Sequence, residues 1–379
     1  MTRIFTKFVQ IPVIRDKIVF QIQHKITKKN KIMLSTVGII GSGSFGVAIA
    51  QLLAENTDVL MYSRTPETVQ NINQSKFHYN TKLSPRVRAT NNIQEICESC
   101  EILYPVVPSG NFRSMIRSFS PYLRPYHFVI HGTKGFDVIG LEPNALDIQN
   151  QTPITRAHVR TMSEVIAEES TVVRIGCLAG PNLASEILAG QPAASVIGSR
   201  FQEVIEAGKK SFQSKRFHVF GTPEILGAEF AGALKNIIAL GSGILGGKGL
   251  GKNLQALLIT RGLSEMITFG TRLGTSNRAF LGTAGIGDLI ATATSANSRN
   301  YTFGMRLAKG ETPEQIKATA KEVAEGVRTL QIVHRVARTY KLHMPITDML
   351  YKIVFQNLNV DKAIEYLMEY PYDIDVDFL

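Results

Sequence analysis

Tryptophan is absent from this 379-residue sequence, and cysteine is scarce, with three residues in all. Three cysteines are too few for a disulfide-rich secreted scaffold, so we predict a reducing compartment. Cys97 and Cys100 have the C-x-x-C spacing of redox motifs, but their surroundings predict a short amphipathic helix without a thioredoxin-like pattern. We therefore interpret this pair as structural.

Long apolar runs without charge are also lacking. The longest apolar stretch, Ile225–Gly247, contains Glu229, Lys235 and Asn236, whereas a membrane-spanning helix needs about 20 mostly apolar residues. We predict a buried helix of a soluble protein and no integral membrane association. The N-terminal segment lacks the uninterrupted apolar core of a secretory signal.

The histidines lack the spacing that metal ligands require, so we predict no metal. His131 precedes Lys134 near the carboxyl end of a predicted strand, where ligands bind. We interpret it as structural, because a lysine accounts for proton transfer. The glycine-rich run 241–251 lacks the spacing of a Walker phosphate loop, and we predict a flexible connection between helices.

Positive charge is unevenly distributed along the chain. The formal net charge is +11, and residues 1–33 contribute +7 of it through eight basic residues and one acidic residue. This concentration argues against a nucleic-acid partner for the remainder of the chain. We predict that the basic extension 1–33 is disordered or acts in targeting, to an organelle or to anionic lipid, and that the protein is otherwise cytoplasmic.

An apolar content of 44% and a charged content of 19% are typical of a globular protein, and the length suffices for two domains. Apolar and β-branched runs predict strands at 36–40, 58–62, 102–107, 127–131, 171–178 and 193–197. Pro105 predicts a bend or an early end of its strand. Residues 137–163 are polar and aperiodic, and we interpret them as a surface insertion.

Strands and helices alternate up to about residue 220, which is typical of a doubly wound parallel sheet. Beyond residue 222 the pattern predicts helices at 224–245, 253–273, 313–340 and 346–368. Three Thr-Pro-Glu tripeptides, beginning at Thr65, Thr222 and Thr312, predict helix starts. The predicted fold class is α/β, with a Rossmann-like dinucleotide-binding domain at 34–221 and an all-helical substrate domain at 222–379.

A glycine-rich turn follows the first predicted strand and reads Gly41-Ser42-Gly43-Ser44-Phe45-Gly46. In a G-x-G-x-x-G turn the first glycine makes the tight turn, the second admits a pyrophosphate, and the third lets helix pack on strand. The free N–H groups of the following helix favour an anion. A strand before the turn and a helix after it make dinucleotide binding the favoured interpretation.

The second predicted strand ends without the acidic residue that binds a ribose 2′-hydroxyl. Tyr62, Ser63 and Arg64 stand there instead. Arg64 can neutralise a 2′-phosphate or stack on adenine. NAD and NADP therefore both remain open as cofactors.

Lys235 lies in the apolar stretch about two hundred residues after the glycine turn. Burial among apolar side chains disfavours a lysine's charged form, and a second cation such as Lys134 lowers its pKa further. Asp288 opposes that shift and orients the ammonium, and Thr292 lies one helical turn later on the same face. A proton donor near neutral pH beside a dinucleotide site predicts a nicotinamide-dependent enzyme acting on an alcohol or ketone.

Several motifs occur in a specific order and spacing. They are the glycine turn, Val107-Pro108-Ser109, Thr133-Lys134-Gly135, Ala179-Gly180-Pro181-Asn182-Leu183-Ala184-x-Glu186, Gly227-Ala228-Glu229, Gly232-Ala233-Leu234-Lys235-Asn236, Ala284-Gly285-Ile286-Gly287-Asp288-Leu289, Ser298-Arg299-Asn300, Glu325-Gly326 and Met344-Pro345-Ile346. With them, residues from about 34 to 370 resemble the NAD(P)-dependent glycerol-3-phosphate dehydrogenase family.

The resemblance implies interconversion of sn-glycerol 3-phosphate and dihydroxyacetone phosphate, supply of a glycerophospholipid precursor, and a homodimer. It implies that Lys235 is the general acid/base, with Lys134 and Asp288 in the catalytic set. Implied substrate contacts are Lys134, Gly180, Asn182, Lys235, Asp288, Ser298, Arg299 and Asn300. Implied cofactor contacts are Gly41, Gly43, Ser44, Phe45, Gly46, Arg64, Lys134, Ala184, Arg299, Val323 and Glu325.

The sequence departs from the family pattern in places. His78-Tyr79-Asn80-Thr81-Lys82 stands where the family has a Tyr-Leu-Pro-Gly loop, and many relatives have serine at the position of Asn182. Ser298 offers a substrate hydroxyl or a helix cap. Two other classes compete with the family function: a related hydroxyacid dehydrogenase and a non-catalytic nucleotide-binding module.

Overall fold

A computed structural model describes residues 36–141, 146, 150, 152–320 and 322–370. The basic extension 1–33 and part of the segment 137–163 lie outside the described residues. The strands are β1 (Val37–Ile40), β2 (Val59–Tyr62), β3 (Phe77–His78), β4 (Thr81–Lys82), β5 (Val87–Thr90), β6 (Ile102–Pro105), β7 (Phe128–His131), β8 (Asp137–Val138), β9 (Val159–Arg160), β10 (Arg174–Ala179), β11 (Ala193–Gly198) and β12 (Phe217–Thr222).

The α-helices divide between the sheet region and the C-terminal region. Those up to residue 211 are α1 (Ser44–Leu53), α2 (Pro66–Ser75), α3 (Ile93–Ser99), α4 (Phe112–Phe119), α5 (Met162–Glu169), α6 (Ala184–Leu188) and α7 (Gln202–Ser211). Those after it are α8 (Ile225–Gly247), α9 (Lys252–Arg272), α10 (Arg278–Leu281), α11 (Asp288–Ala293), α12 (Arg299–Ala308), α13 (Pro313–Thr319), α14 (Glu325–Tyr340), α15 (Pro345–Gln356) and α16 (Val360–Met368).

Eight strands form one sheet in the order β12-β11-β10-β7-β6-β1-β2-β5. Neighbouring strands are parallel except β10 and β11, which are antiparallel. The predicted parallel sheet thus contains one antiparallel pair, where the connection carries only the five-residue helix α6. The predicted class, a Rossmann-like sheet followed by a helical region, is confirmed.

The sequence pattern did not predict the two edge strands of the sheet, β5 and β12. β5 has the exposed Arg88 between buried residues, and β12 exposes His218 and Phe220. Central strands such as β1 are buried at every residue and show continuous apolar runs. An edge strand tolerates polar residues because part of it faces solvent, and its signal is correspondingly weaker.

Several predicted element boundaries can be compared with the structure. Strand β6 ends at Pro105, as expected. Helices begin directly after Thr65 and Thr312, and Thr312 forms a capping box with Gln315. The helix start predicted at Thr222 is wrong, because β12 continues to that residue and α8 begins only at Ile225.

Two helices predicted as continuous are each divided in two. The predicted helix 313–340 is divided into α13 and α14. The predicted helix 346–368 is interrupted after α15, where Asn357 adopts a left-handed conformation with φ 55°. Asparagine is favoured in this C-terminal position. The side chain of Asn359 then caps α16 by accepting a hydrogen bond from the Asp361 N–H at 2.9 Å.

The segment 137–163 is not simply a surface insertion. Its described part contains the antiparallel pair β8 and β9. Ile154 and Val159 are fully buried against the apolar core around α8. Thr161 and Glu164 form a capping box at the start of α5. The segment is therefore partly a core element, which its low apolar periodicity concealed.

The paired thiols of the C-x-x-C motif are both buried and free. Burial raises the pKa of Cys97 and of Cys100 to about 12. A thiol that stays protonated at neutral pH is a poor nucleophile and metal ligand. The structure supports the structural interpretation of this pair.

Helix α8 is the central helix of the C-terminal region, and 89% of its most apolar 18-residue stretch is buried within the protein. It is long and apolar enough to cross a membrane by length and composition, as core helices of soluble proteins also are. The prediction of a flexible connection at 241–251 is wrong for its first part, since α8 extends to Gly247. There the glycines allow α12 to approach: a Cβ at Gly243 would lie 1.9 Å from the Tyr301 carbonyl oxygen.

Replacing Gly304 of α12 by alanine is expected to destabilise the fold. The new Cβ would lie 2.0 Å from the Leu240 carbonyl oxygen on α8. Overpacking costs about 1–3 kcal/mol, which exceeds the gain in helix propensity of about 1 kcal/mol. Gly251→Ala is the matched control, because a Cβ there meets nothing within 4 Å and φ is −74°. Urea unfolding midpoints test this, and an unchanged midpoint for Gly304→Ala would contradict it.

Candidate active site

The glycine turn lies between β1 and α1 with the geometry that dinucleotide binding requires. Gly41 has φ +124°, which side chains rarely adopt. A Cβ at Gly46 would lie 2.1 Å from the Gly41 carbonyl oxygen, so only glycine lets the helix begin so close to the strand. At Gly43, directly before α1, a Cβ would meet nothing within 4 Å. The turn therefore fits a pyrophosphate approaching at the helix N-terminus.

The residues around this turn connect it to the neighbouring strands and to a short hairpin. Ser42 donates a hydrogen bond from its hydroxyl to that of Ser63 at 2.9 Å. The His78 Nε2 donates to the Ser42 carbonyl oxygen at 2.9 Å, so the β3–β4 hairpin contacts the turn. Phe45 lies close to Gly132, where an added Cβ would be 2.9 Å from its ring. Arg64 is exposed beside this region.

Three residues that sequence reasoning placed in the catalytic set meet in one cluster. Lys235 of α8 and Lys134, which follows β7, share the carboxylate of Asp288 at the start of α11. The Lys134 Nζ lies 2.5 Å from Asp288 Oδ2 and 3.1 Å from the Gly180 carbonyl oxygen. Lys235 donates to Asp288 Oδ1 and, at 2.6 Å, to Thr292 Oγ1. Thr292 lies on the same helix face as Asp288, as expected.

The surroundings of Lys235 lower the pKa of its side chain. Its residue exposure is 4%. Burial and, to a smaller extent, the Lys134 cation lower the pKa of Lys235 to about 7, although Asp288 opposes this shift. At neutral pH the side chain is therefore distributed between the amine and the ammonium, the condition for reversible general acid–base catalysis.

The loop directly after β10 contributes a backbone carbonyl group to the cluster. Gly180 has φ +106°, and its carbonyl oxygen orients the Lys134 ammonium. The Asn182 amide donates to Ser195 Oγ at 2.7 Å, and that hydroxyl donates to the Ala179 carbonyl oxygen at 2.9 Å. Asn182 therefore fixes the loop after β10, whereas Gly180 contacts the Lys134 side chain directly.

The motif 298–300 contributes residues with different surroundings. Ser298 is buried and caps α12 by accepting from the Tyr301 N–H at 3.3 Å. Arg299 is exposed and pairs with Glu322 at 3.4 Å. Asn300 is buried and occupied by the protein itself, since its amide donates to Asn236 Oδ1 and its oxygen accepts from the Gly326 N–H. Of the three side chains, only that of Arg299 is exposed.

Asn236 is a residue whose role sequence reasoning missed. Through Asn300, with a bond of 2.9 Å, it ties the start of α12 to α8, and Asn300 in turn holds the start of α14 at 2.9 Å. The only sequence signal was its position directly after Lys235. Its partner Asn300 lies 64 residues away, beyond any local pattern.

Glu325, an implied cofactor contact, is held by Ser109, a motif residue to which the sequence analysis assigned no role. Ser109 donates to it twice, from its backbone N–H at 2.9 Å and from its hydroxyl at 2.5 Å. A Cβ at Gly135, where φ is +152°, would lie 2.6 Å from Ser109 Oγ. The glycine after Lys134 therefore makes room for this contact.

The remaining implied cofactor contacts lie outside the lysine cluster. Ser44 and Phe45 belong to the first turn of α1, and Ala184 begins α6. Arg64 and Val323 are exposed and take no part in the cluster's hydrogen bonds among the described residues.

Comparison with known proteins adds the family to this geometry. The model of the NAD-dependent glycerol-3-phosphate dehydrogenase N-terminus matches residues 36–205, and that of the C-terminus matches residues 224–365. The glycerol-3-phosphate dehydrogenase (NAD(P)+) of Macrococcus caseolyticus is 36% identical over 340 residues, covering 88% of this chain and 97% of its own. The enzyme of the same name from Saccharophagus degradans is 35% identical over 349 residues, with coverages of 90% and 92%.

A solved structure shows the same fold at lower sequence identity. The crystal structure of glycerol-3-phosphate dehydrogenase from Coxiella burnetii matches with a TM-score of 0.78 and 28% identity, covering 89% of this chain and 100% of that one. Both family models together span more than half of this chain. The chain therefore belongs to the NAD-dependent glycerol-3-phosphate dehydrogenase family.

Proposed function

We propose that this protein interconverts sn-glycerol 3-phosphate and dihydroxyacetone phosphate with NAD(H) or NADP(H), and that Lys235 is its general acid/base. Family membership supports the reaction class. The observation that carries the role of Lys235 is its buried ammonium, which shares Asp288 with Lys134. The glycine turn, with Ser44 and Phe45 in the first turn of α1, is proposed to hold the cofactor.

When bound, the nicotinamide accepts or donates the hydride. The other half of the reaction is a proton transfer at the substrate oxygen. In glycerol 3-phosphate oxidation, neutral Lys235 accepts the hydroxyl proton as the C–O bond becomes a carbonyl. In the reverse direction, the Lys235 ammonium donates a proton to the ketone oxygen. Asp288 and Thr292 orient the Nζ atom for this transfer, since both are hydrogen-bonded to it.

The substrate phosphate requires cationic partners. We assign this role to Arg299, whose exposed guanidinium offers a planar fork for phosphate oxygens, and to Lys134. Gly180, Asn182, Ser298 and Asn300 complete the proposed substrate set. In the structure these four hold loops and helix ends in place, so their contribution includes the shape of the site.

The test of the reaction is an absorbance assay at the nicotinamide band. Dihydroxyacetone phosphate is offered with NADH and with NADPH separately, and oxidation is followed in reverse with glycerol 3-phosphate. Turnover that requires the phosphate group supports the proposal. Turnover of 3-hydroxy acids without that requirement favours a related hydroxyacid dehydrogenase. Cofactor binding without any turnover favours a nucleotide-binding module.

Replacing Arg64 by serine is expected to weaken NADPH binding about tenfold or more and to leave NADH binding nearly unchanged. A hydrogen bond between a guanidinium and a 2′-phosphate contributes about 1.5–3 kcal/mol. Arg88→Ser, at another exposed arginine, is the control. Dissociation constants measured by nicotinamide fluorescence decide the matter. An equal loss for both cofactors would assign Arg64 to adenine stacking instead.

The cellular setting is part of the same proposal. We propose a cytoplasmic homodimer that supplies glycerol 3-phosphate for glycerophospholipid synthesis, on the basis of family resemblance. Light scattering of the purified protein tests the dimer, and restored lipid synthesis in cells that lack glycerol 3-phosphate supply tests the role. Deleting residues 1–33 and following the protein's location tests whether that extension directs it elsewhere.

A further inference from the structure

The buried carboxylate of Glu229 joins three elements of the fold, two of which lead to Lys134 and Lys235. Glu229 of α8 accepts a hydrogen bond from His131 Nε2 at 2.9 Å. It also accepts from Ser163 twice, from the backbone N–H at 2.8 Å and from the hydroxyl at 2.6 Å. Glu229 therefore links the end of β7 and the first turn of α5 to the central helix.

Burial makes this link costly to break. His131 is 1% exposed and Glu229 is 7% exposed. The His131 Nδ1 is buried and has no hydrogen-bond partner among the described residues, so we assign the ring proton to Nε2, where an acceptor is present. A buried carboxylate that lost a donor would be left incompletely satisfied. The structure thus supports the sequence-based view that His131 does not itself transfer protons.

The position of this link relates it to the catalytic lysines. His131 is the last residue of β7, and Lys134 follows three residues later. Glu229 precedes Lys235 by six residues on α8, which is less than two helical turns. Gly232 lies between Glu229 and Lys235 on α8, and the Lys134 side chain packs against it. An added Cβ at Gly232 would lie 3.6 Å from Lys134 Cγ.

We propose that Glu229, held by His131 and Ser163, is a positioning residue that sets the separation of Lys134 from Lys235. This inference rests on the proposed function of Lys235. The link holds the segment that carries Lys134 against the helix that carries Lys235, so that both ammonium groups reach the single carboxylate of Asp288.

The separation matters because the two cations repel each other. Lys235 faces Asp288 and Thr292 on α11 and Lys134 after β7. Glu229 has its own neighbours: His131 on β7, Ser163 on α5 and the neutral thiol of Cys177 on β10. If the link is broken, Lys134 moves away from Lys235, and Asp288 is left to Lys235 alone. Both changes raise the pKa of Lys235.

The deciding experiment is the pH dependence of kcat/KM for glycerol 3-phosphate oxidation. Neutral Lys235 is the active form in this direction, so activity rises with pH through its pKa. For His131→Phe, which removes the donor but keeps a ring, we expect this limb to move to higher pH. We also expect kcat/KM to fall about tenfold to a hundredfold, as misplaced catalytic groups do. His131→Gln, which keeps an N–H donor, should restore most of both values.

Two further variants separate positioning from other effects. Glu229→Gln keeps a carbonyl acceptor for His131, so positioning predicts a limb near that of the wild type. A limb moved to lower pH by Glu229→Gln would assign the effect to the carboxylate's charge and overturn the proposal. His127→Phe is the matched control directly before the same strand, where the His127 Nε2 donates to the Cys97 carbonyl oxygen at 2.9 Å. It should lower stability and leave the limb in place.

The outcomes distinguish this inference from the proposed function. A wild-type protein that does not oxidise glycerol 3-phosphate overturns the function. If the wild type oxidises glycerol 3-phosphate and His131→Phe and His127→Phe both keep its pH dependence of kcat/KM, only the positioning proposal is overturned. If His131→Phe does not fold, Ser163→Ala, which removes the hydroxyl donor to Glu229, takes its place, and a limb that coincides with that of the wild type then overturns positioning.

Discussion

Lys235→Ala is expected to lower the rate of dihydroxyacetone phosphate reduction by about a hundredfold to ten-thousandfold, the usual contribution of a general acid. In the proposed mechanism the Lys235 ammonium is the proton donor in this direction, and its hydrogen-bond partners Asp288 and Thr292 carry no ammonium that could replace it. Cofactor affinity should be retained, because the glycine turn does not depend on this side chain. Stopped-flow or steady-state absorbance measures the rate, and nicotinamide fluorescence measures binding.

The control for this variant is Lys248→Ala. Lys248 directly follows the same helix, but it is partly exposed and pairs with Asp361 at 2.9 Å at the protein surface. Its loss should leave turnover at the wild-type rate. A small primary amine such as ethylamine should partly restore Lys235→Ala, because the cavity left by the side chain can admit a substitute proton donor. Wild-type turnover by Lys235→Ala would refute the assignment.

Asp288→Asn is expected to reduce both stability and activity. It leaves the buried Lys235 and the partly exposed Lys134 without their shared carboxylate, and breaking a buried ion pair costs about 3–5 kcal/mol. Since Asp288 raises the pKa of Lys235 against burial, its removal lowers that pKa below about 7. The ammonium form is then lost at neutral pH. Dihydroxyacetone phosphate reduction, which needs the ammonium, should decline from a lower pH than in the wild type.

Two measurements check this prediction independently. Urea unfolding gives the change in stability, and the pH dependence of reduction gives the direction of the pKa change. Asp361→Asn removes the partner of Lys248, an exposed carboxylate, and should cost under about 1 kcal/mol. A pH profile of Asp288→Asn that moves to higher pH, or stability equal to that of Asp361→Asn, would contradict the charge assignment in the cluster.

The local parts of this protein could be predicted from the sequence. The glycine turn is recognisable because strand, turn and helix are consecutive, and each glycine answers a steric demand within six residues. The same holds for the capping box at Thr312 and for the end of β6 at Pro105. The apolar periodicity of α8 predicted its burial, since the interior of a domain selects for it.

Contacts between distant residues could not be predicted in the same way. The edge strands β5 and β12 have weak signals because solvent relaxes the demand for apolar residues. The buried Ile154 and Val159 lie in a polar, aperiodic segment whose packing partners belong to the C-terminal region. Ser109 is joined to Glu325 across 216 positions of sequence. No periodicity within one element records such a partner.

By itself, the sequence determined which residue types were present and where the strand and the helix on either side of the glycine turn formed. Only the tertiary structure decided the protonation of Lys235. Its partner Asp288 lies 53 residues away, and Lys134 lies 154 residues from that same carboxylate. The proton affinity of an amine depends on its distance from water and from other charges, and folding alone fixes those distances.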